Sequence, residues 1–351
     1  MLTQEFLGYP VIFWILAIPA YSYTLFNGFL DGGNAVATLI ASRAMKPKSA
    51  LRFAALIELV SPMTLFLTGF GVSKTIQGMV YEENYIGVEG LDQKKALCFI
   101  AAGILSAVIW QFTAWVSKVP SSSTHALVGG IVGSSLVAYG FTSVNWVGFL
   151  ERIILMIFLA PVIGFTMGFV VMRLCKTFAK STSTVANSVF KRLQVMNVLL
   201  LSYSHSSHDS QKTIGVIMLL MAVCGKPVKD GNPPWLIVLI AGVCLCLGIL
   251  LGGYNIIKTA GLGIFKVKPI HSFSSQLASA ATLITANLLK VPVASSHVIS
   301  TSIMGVGSAE RMNAVRWINV KRIVISWFIT VPIAGSLGAL FCLILRLVFK
   351  V

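Results

Sequence analysis

Two short polar strings interrupt otherwise apolar stretches, and each occurs twice. The first pair is NGFLDGGNAVAT at Asn27–Thr38 and SHSSHDSQKTIG at Ser204–Gly215. The second is PSSSTH at Pro120–His125 and PVASSH at Pro292–His297. A carboxylate or a run of hydroxyls in hydrocarbon is costly unless it faces a partner or a water-filled path, so such groups mark a candidate functional site. The spacing repeats as well: Asp31 precedes His125 by 94 residues, and Asp209 precedes His297 by 88. The chain therefore reads as two copies of one half, each with a broken, polar-tipped helix pair.

The background in which these strings sit is that of a membrane protein. The 351 residues are 56% hydrophobic and 11% charged, with a mean hydropathy of +0.86, against about 25% charged for a soluble domain. Apolar runs fall at 9–30, 53–72, 96–117, 126–140, 152–174, 213–225, 235–257, 273–290, 298–309 and 323–349. Runs of about 20 residues suit transmembrane helices, where a barrel would show alternating segments of about 10. The expected class is an all-α integral membrane protein with 10–12 transmembrane segments. The net charge of +16 comes from Lys and Arg clustered at helix ends, which is the positive-inside bias rather than a nucleic-acid footprint. Lipid is the expected surround, and nucleic acid is not an expected partner. The six cysteines lie in or beside apolar runs without metal-ligand spacing and read as packing residues. No cleavable leader is expected, because the first apolar run lacks a basic leading region.

Charge orients the segments. Arg43–Arg52 carries four basic residues and no acid, whereas Lys74–Lys95 carries Glu82, Glu83, Glu89 and Asp92 beside three lysines. The first belongs inside and the second outside. Residues 176–204 read as a basic, Ser/Thr-rich cytoplasmic linker between repeats at 1–175 and 205–351. The first half then crosses five times, so the second starts on the opposite side, and both termini lie outside. That is an inverted-topology repeat, with short interrupted helices at matching places in the two halves, the sequence pattern that points to a transporter site.

Each string has its own chemistry. Ser121–Thr124 opens an apolar helix, and Ser295 and Ser296 do the same in the second half. Ser and Thr are good caps, and a bare helix N-terminus offers N–H groups and a positive dipole end to an anion. Two such ends meeting in the membrane would hold an oxyanion without a buried Arg; ordinary capping is the plainer reading. His125 and His297 occupy the same point of each copy, where hydrogen-bonding the broken turn is favoured over proton transfer. Asp31 lies among Asn27, Gly28, Gly32, Gly33, Asn34 and Thr38. A helix places Asn34 and Thr38 on the face of Asp31, and these oxygens suit Na⁺ or a proton carrier; a carboxylate paired with a basic residue is the alternative. Lys212 reads as a partner of Asp209 or as snorkelling to the inner surface, ahead of a ligand to the bound anion. Glu58 has Gln276 as its plausible counterpart, a pair in which one member titrates and the other only hydrogen-bonds. His205 and His208, three apart, admit a speculative metal site.

At these residues the chain resembles the inorganic phosphate transporter (PiT) family, and its bacterial low-affinity members in particular. The resemblance rests on Asp31-Gly-Gly-Asn34-Ala35, on His208-Asp209-Ser210-Gln211-Lys212, on the two Ser-His strings and on the terminal block from Gly305. It covers essentially the whole chain. Two positions depart from the pattern: His208 stands where Asn is usual, and Ala294 where a hydroxyl is common. The resemblance implies a symporter of the bacterial inner membrane that binds inorganic phosphate with groups from both halves, is driven by H⁺ or Na⁺, and is open to carrying phosphate as a neutral metal complex.

The resulting expectation is a secondary transporter, not an enzyme, without a cofactor and with homodimerisation left open. Substrate would be held by Asn34, Ser122, Ser123, Thr124, Gln211, Ser295 and Ser296. Asn27, Asp31, Thr38 and Asp209 would serve the coupling ion, with Na⁺ a candidate at Asp31 and Asp209. A sulfate or other oxyanion permease is the alternative within transport, and an anion channel stands behind it.

Overall fold

The computed structural model describes residues 5–6, 8–117, 119, 121–178, 184–228, 231–263 and 267–351. Thirteen helices are described: α1 (Val11–Ala41), α2 (Pro47–Val60), α3 (Leu65–Thr68), α4 (Gly71–Gln77), α5 (Gly90–Val116), α6 (Ser123–Tyr139), α7 (Trp146–Phe149), α8 (Leu155–Phe178), α9 (Thr184–Val223), α10 (Trp235–Gly263), α11 (Pro269–Leu288), α12 (Ser295–Glu310) and α13 (Trp317–Phe349). A two-residue antiparallel pair, Glu5–Phe6 with Tyr9–Pro10, precedes them. Among the described residues, six helical stretches are long and apolar enough to cross a membrane, fewer than the 10–12 segments expected. The difference arises partly because α6 and α12 have only 17 and 16 residues. At 1.5 Å per residue these rise about 25 Å, short of the roughly 30 Å hydrocarbon layer.

The burial pattern is inside out relative to a water-soluble protein. The exposed face of α8 carries Leu155, Phe158, Leu159, Val162 and Ile163, and that of α13 carries Phe328, Ile329 and Ile333. Asp31, Glu58, His205, Asp209 and Lys212 are buried. Apolar stripes of this extent on the outside belong against lipid, and the polar groups gather where helices meet.

The breaks expected at Asn27–Thr38 and Ser204–Gly215 are absent. α1 and α9 run through both strings as continuous helix. The glycines of the first string serve packing instead. A Cβ at Gly28 would meet the backbone of Leu245, and one at Gly32 would crowd Ile249, both on α10. Gly248 and Gly252 return the contact against Leu25 and Phe29. Small residues spaced by four on each helix bring the two backbones together. Non-helical chain does precede α6 and α12, at 117, 119 and 121–122 and at 289–294. Pro120 lies outside the described residues.

Of the stretch expected as a linker, 176–204, α8 takes the part up to Phe178 and α9 the part from Thr184, while 179–183 lie outside the described residues. Most of that basic segment is thus the leading end of the helix that carries Asp209.

The two halves exchange their last long helices. α13 packs on α6, where a Cβ at Gly133 would collide with the Gly335 carbonyl. α8 packs on α12, where a Cβ at Gly305 would collide with the Phe165 carbonyl. Trp146–Phe178 and Trp317–Phe349 match in detail. Each opens on a Trp whose indole N–H donates to a carbonyl five residues earlier, Phe141 at 2.7 Å and Met312 at 3.1 Å. Each carries an internal proline, Pro161 or Pro332, that feeds the glycine-lined contact.

Candidate functional site

α6 and α12 begin beside one another. Thr124 Oγ1 donates to the Val293 carbonyl at 3.1 Å, tying the start of α6 to the strand of chain leading into α12. The His125 and His297 rings meet edge to face with centroids 4.7 Å apart, and Trp327 stacks on His297 at 3.9 Å. Ser122 caps α6 by accepting from the His125 N–H at 3.3 Å. Ala294 takes the same place ahead of α12 and supplies no side-chain cap. The hydroxyl lost at Ala294 is therefore a cap, which is worth about 1 kcal/mol where present.

Each of these helix starts gives a serine to an aspartate. Ser123 Oγ donates to Asp31 Oδ2 at 3.1 Å, and Ser295 Oγ donates to Asp209 Oδ2 at 2.8 Å. Asp31 comes from α1 and Asp209 from α9, which lie side by side: Thr24 Oγ1 donates to Thr213 Oγ1 at 2.6 Å, and Asn27 Nδ2 donates to Asp209 Oδ2 at 3.1 Å. Two carboxylates, two serine hydroxyls and two helix N-termini thus converge, all of them buried. Charged groups enclosed this way are tolerable only when paired and hydrogen-bonded.

The pairing is unequal. Lys212 Nζ lies 2.5 Å from Asp209 Oδ1, and His205 Nε2 lies 3.2 Å from Asp209 Oδ2. Lys212 is fully buried, so it is the partner of Asp209 and does not snorkel to a surface. Among the described residues, no cation lies within ion-pair distance of Asp31.

The remaining residues expected in the site are placed as follows. Asn34 is buried on the Asp31 helix, one turn on. Thr38 lies further along and accepts from Gln276 Nε2 at 3.2 Å. Ser296 holds a buried hydroxyl without a partner among the described residues. Gln211 is used otherwise: its Oε1 accepts from the Val72 N–H at 2.9 Å and its Nε2 donates to the Ser207 carbonyl at 2.9 Å. Its oxygen holds α4 against α9, and its NH₂ is spent on its own helix.

Two residues gain a part that their sequence positions did not convey. His208 Nε2 accepts from the Val293 N–H at 3.0 Å, and its Nδ1 lies 2.6 Å from Asn287 Oδ1. The ring that replaces the family's usual Asn therefore clamps the approach to α12. His205 turns to other partners, Glu58 and Asp209, and among the described residues no cluster of three or more metal-ligand side chains forms around the two histidines. The i, i+4 spacing of His205 and Asp209 was the one sequence signal for that contact.

The profile of the Phosphate transporter family matches residues 27–338. A chain of Bacillus subtilis (strain 168) named "Probable low-affinity inorganic phosphate transporter" is 34% identical over 336 residues, covering 95% of this chain and 97% of its own length. A Rhizobium meliloti (strain 1021) chain of the same name is 31% identical, covering 95% and 96%. A solved structure titled "The sodium-dependent phosphate transporter" superposes with a TM-score of 0.85 at 24% identity, covering 96% of this chain and 99% of that one, and so shares the fold. With its buried polar site, its lipid-facing helices and a profile match over most of its length, this chain is a membrane protein of the phosphate transporter family.

Proposed function

We propose that the chain is a secondary carrier that imports inorganic phosphate together with a cation, H⁺ or Na⁺, by alternating access. The observation that carries this reading is the doubled serine–aspartate pair at the meeting of two helix N-termini. N-terminal N–H groups and hydroxyls favour a tetrahedral oxyanion. Two carboxylates in the same place would repel that anion unless a cation or proton arrives with it, which makes cotransport a physical requirement. Ser122, Ser123, Thr124, Ser295, Ser296 and Asn34 are assigned to phosphate, and Asp31, Asp209, Asn27 and Thr38 to the coupling ion. Gln211 supports the site through α4.

The matching long helices and matching half-length helices support two inverted repeats that rock about the site. The cell membrane of a bacterium, with both termini outside, is the placement favoured by the charge distribution and by the relatives. No resident cofactor is assigned, and a metal–phosphate complex is a candidate form of the substrate.

Uptake of ³²P-phosphate into proteoliposomes of the purified chain tests the assignment. Accumulation under an imposed pH or Na⁺ gradient, with excess sulfate leaving it unchanged, is the expected result. Strong block by sulfate would move the assignment to another oxyanion. Passive flux without accumulation would make the chain a channel.

A further inference from the structure

Phosphate cotransport as proposed leaves two buried titratable groups, His205 and Glu58, without a part. His205 is fully buried on α9, one turn before Asp209. Its ring lies between two carboxylates. Nδ1 is 3.1 Å from Glu58 Oε1 in an aligned hydrogen bond. Nε2 is 3.2 Å from Asp209 Oδ2, at ion-pair distance but off the hydrogen-bond line. Glu58 enters from α2, also fully buried, with Oε2 lacking a partner among the described residues.

A neutral imidazole has one N–H and an ionised carboxylate has none. With a carboxylate at each ring nitrogen, both contacts are favourable only when one further proton is shared among the three groups. The ionisable groups facing the ring are Glu58 from α2, Asp209 from its own helix and Asp31 from α1; Lys212 bears on it through Asp209. The first half has no such chain. Four residues before Asp31 stands Asn27, and the counterpart of Glu58 is Gln276, and neither amide takes a proton. A titratable path therefore leads away from Asp209 and not from Asp31.

We propose that His205 is the proton relay of this carrier, passing a proton between Glu58 and Asp209; this rests on the cotransport reading above. In the transfer, protonated Glu58 gives its proton to Nδ1 while the Nε2–H passes to Asp209 Oδ2. The ring ends neutral in its other tautomer, Glu58 ends ionised and Asp209 ends protonated. One proton has moved, and the hold of Asp209 on Lys212 and Ser295 then depends on it.

The test uses the full chain in proteoliposomes with three readouts. These are phosphate–phosphate exchange at equal pH, accumulation under a pH gradient, and proton uptake evoked by phosphate, followed with a trapped pH dye. In His205→Gln, exchange should persist while accumulation falls at least about tenfold and the proton signal disappears. Glu58→Gln should give the same split, and it carries the test if His205→Gln does not purify folded. Parent-like proton uptake in either folded variant would overturn the relay. A parent that accumulates phosphate on a Na⁺ gradient without proton movement would also overturn it, leaving phosphate cotransport intact. A parent without phosphate exchange would overturn both.

Discussion

The surroundings of Asp31 and Asp209 differ more than their sequence strings suggest. Each accepts from the serine at the start of a half-length helix. Asp209 also holds Lys212 at 2.5 Å, His205 at 3.2 Å and Asn27 at 3.1 Å. Asp31 has no cation at ion-pair distance among the described residues. The same element, a serine hydroxyl beside a helix N-terminus, faces both aspartates. Charge compensation is built into one half only. An arriving cation therefore has most to gain at Asp31, where no cation among the described residues stands at ion-pair distance.

The sharpest way to break that comparison is to neutralise each aspartate in turn. Asp209→Asn strands the Lys212 ammonium in a buried site, so it should cost about 3–5 kcal/mol of stability. Asp31→Asn removes a carboxylate held by one hydroxyl and should change stability by about 1 kcal/mol or less. Thermal unfolding in detergent separates the two, and both should lose coupled uptake. Equal destabilisation would mean that the two sites are compensated alike.

The serines sharpen it at the next level. Each donates to a charged acceptor, a bond worth about 1.5–3 kcal/mol. Asp209 keeps Lys212 and Asn27 when Ser295 is truncated, whereas Asp31 loses its observed donor when Ser123 is truncated. Ser123→Ala should therefore raise the KM for phosphate more than Ser295→Ala does. The opposite order in uptake assays would shift the principal anion site to the second half.

The smallest difference between the two halves is expected where they are alike. Gly133 faces the Gly335 carbonyl and Gly305 faces the Phe165 carbonyl. Gly133→Ala and Gly305→Ala should each overpack a helix contact and cost about 1–3 kcal/mol, by similar amounts in thermal unfolding. A large inequality would show that only one of the two exchanged contacts is tight.

Much of the site was legible before any coordinates. Asp31, Asp209, Ser123 and Ser295 stood out because a polar group in an apolar run is conspicuous whatever its partners. The half-length helices were legible for a related reason, since a short apolar run after a hydroxyl string cannot span alone. Gln211 was harder to read. Its place after Asp209 put it in the motif, but its amide is claimed by the Val72 N–H on a helix 139 residues away in sequence. Lys212 had several readings because a lysine's stem reaches a surface or a buried partner with equal ease.

The amino-acid sequence by itself determined the membrane class, the helical architecture, the paired polar strings and the family. Those depend on composition, periodicity and the cost of polar groups in hydrocarbon, all of which are local. Tertiary structure alone decided that α1 and α9 run unbroken through their polar strings. A glycine breaks a helix or seats a neighbour according to what backbone faces it, and here α10 faces Gly28 and Gly32. It also decided that α8 and α13 cross to the opposite half, and that Glu58 reaches His205 from 147 residues away. Those outcomes rest on which distant groups come within about 3 Å of one another, and spacing along one chain does not carry that information.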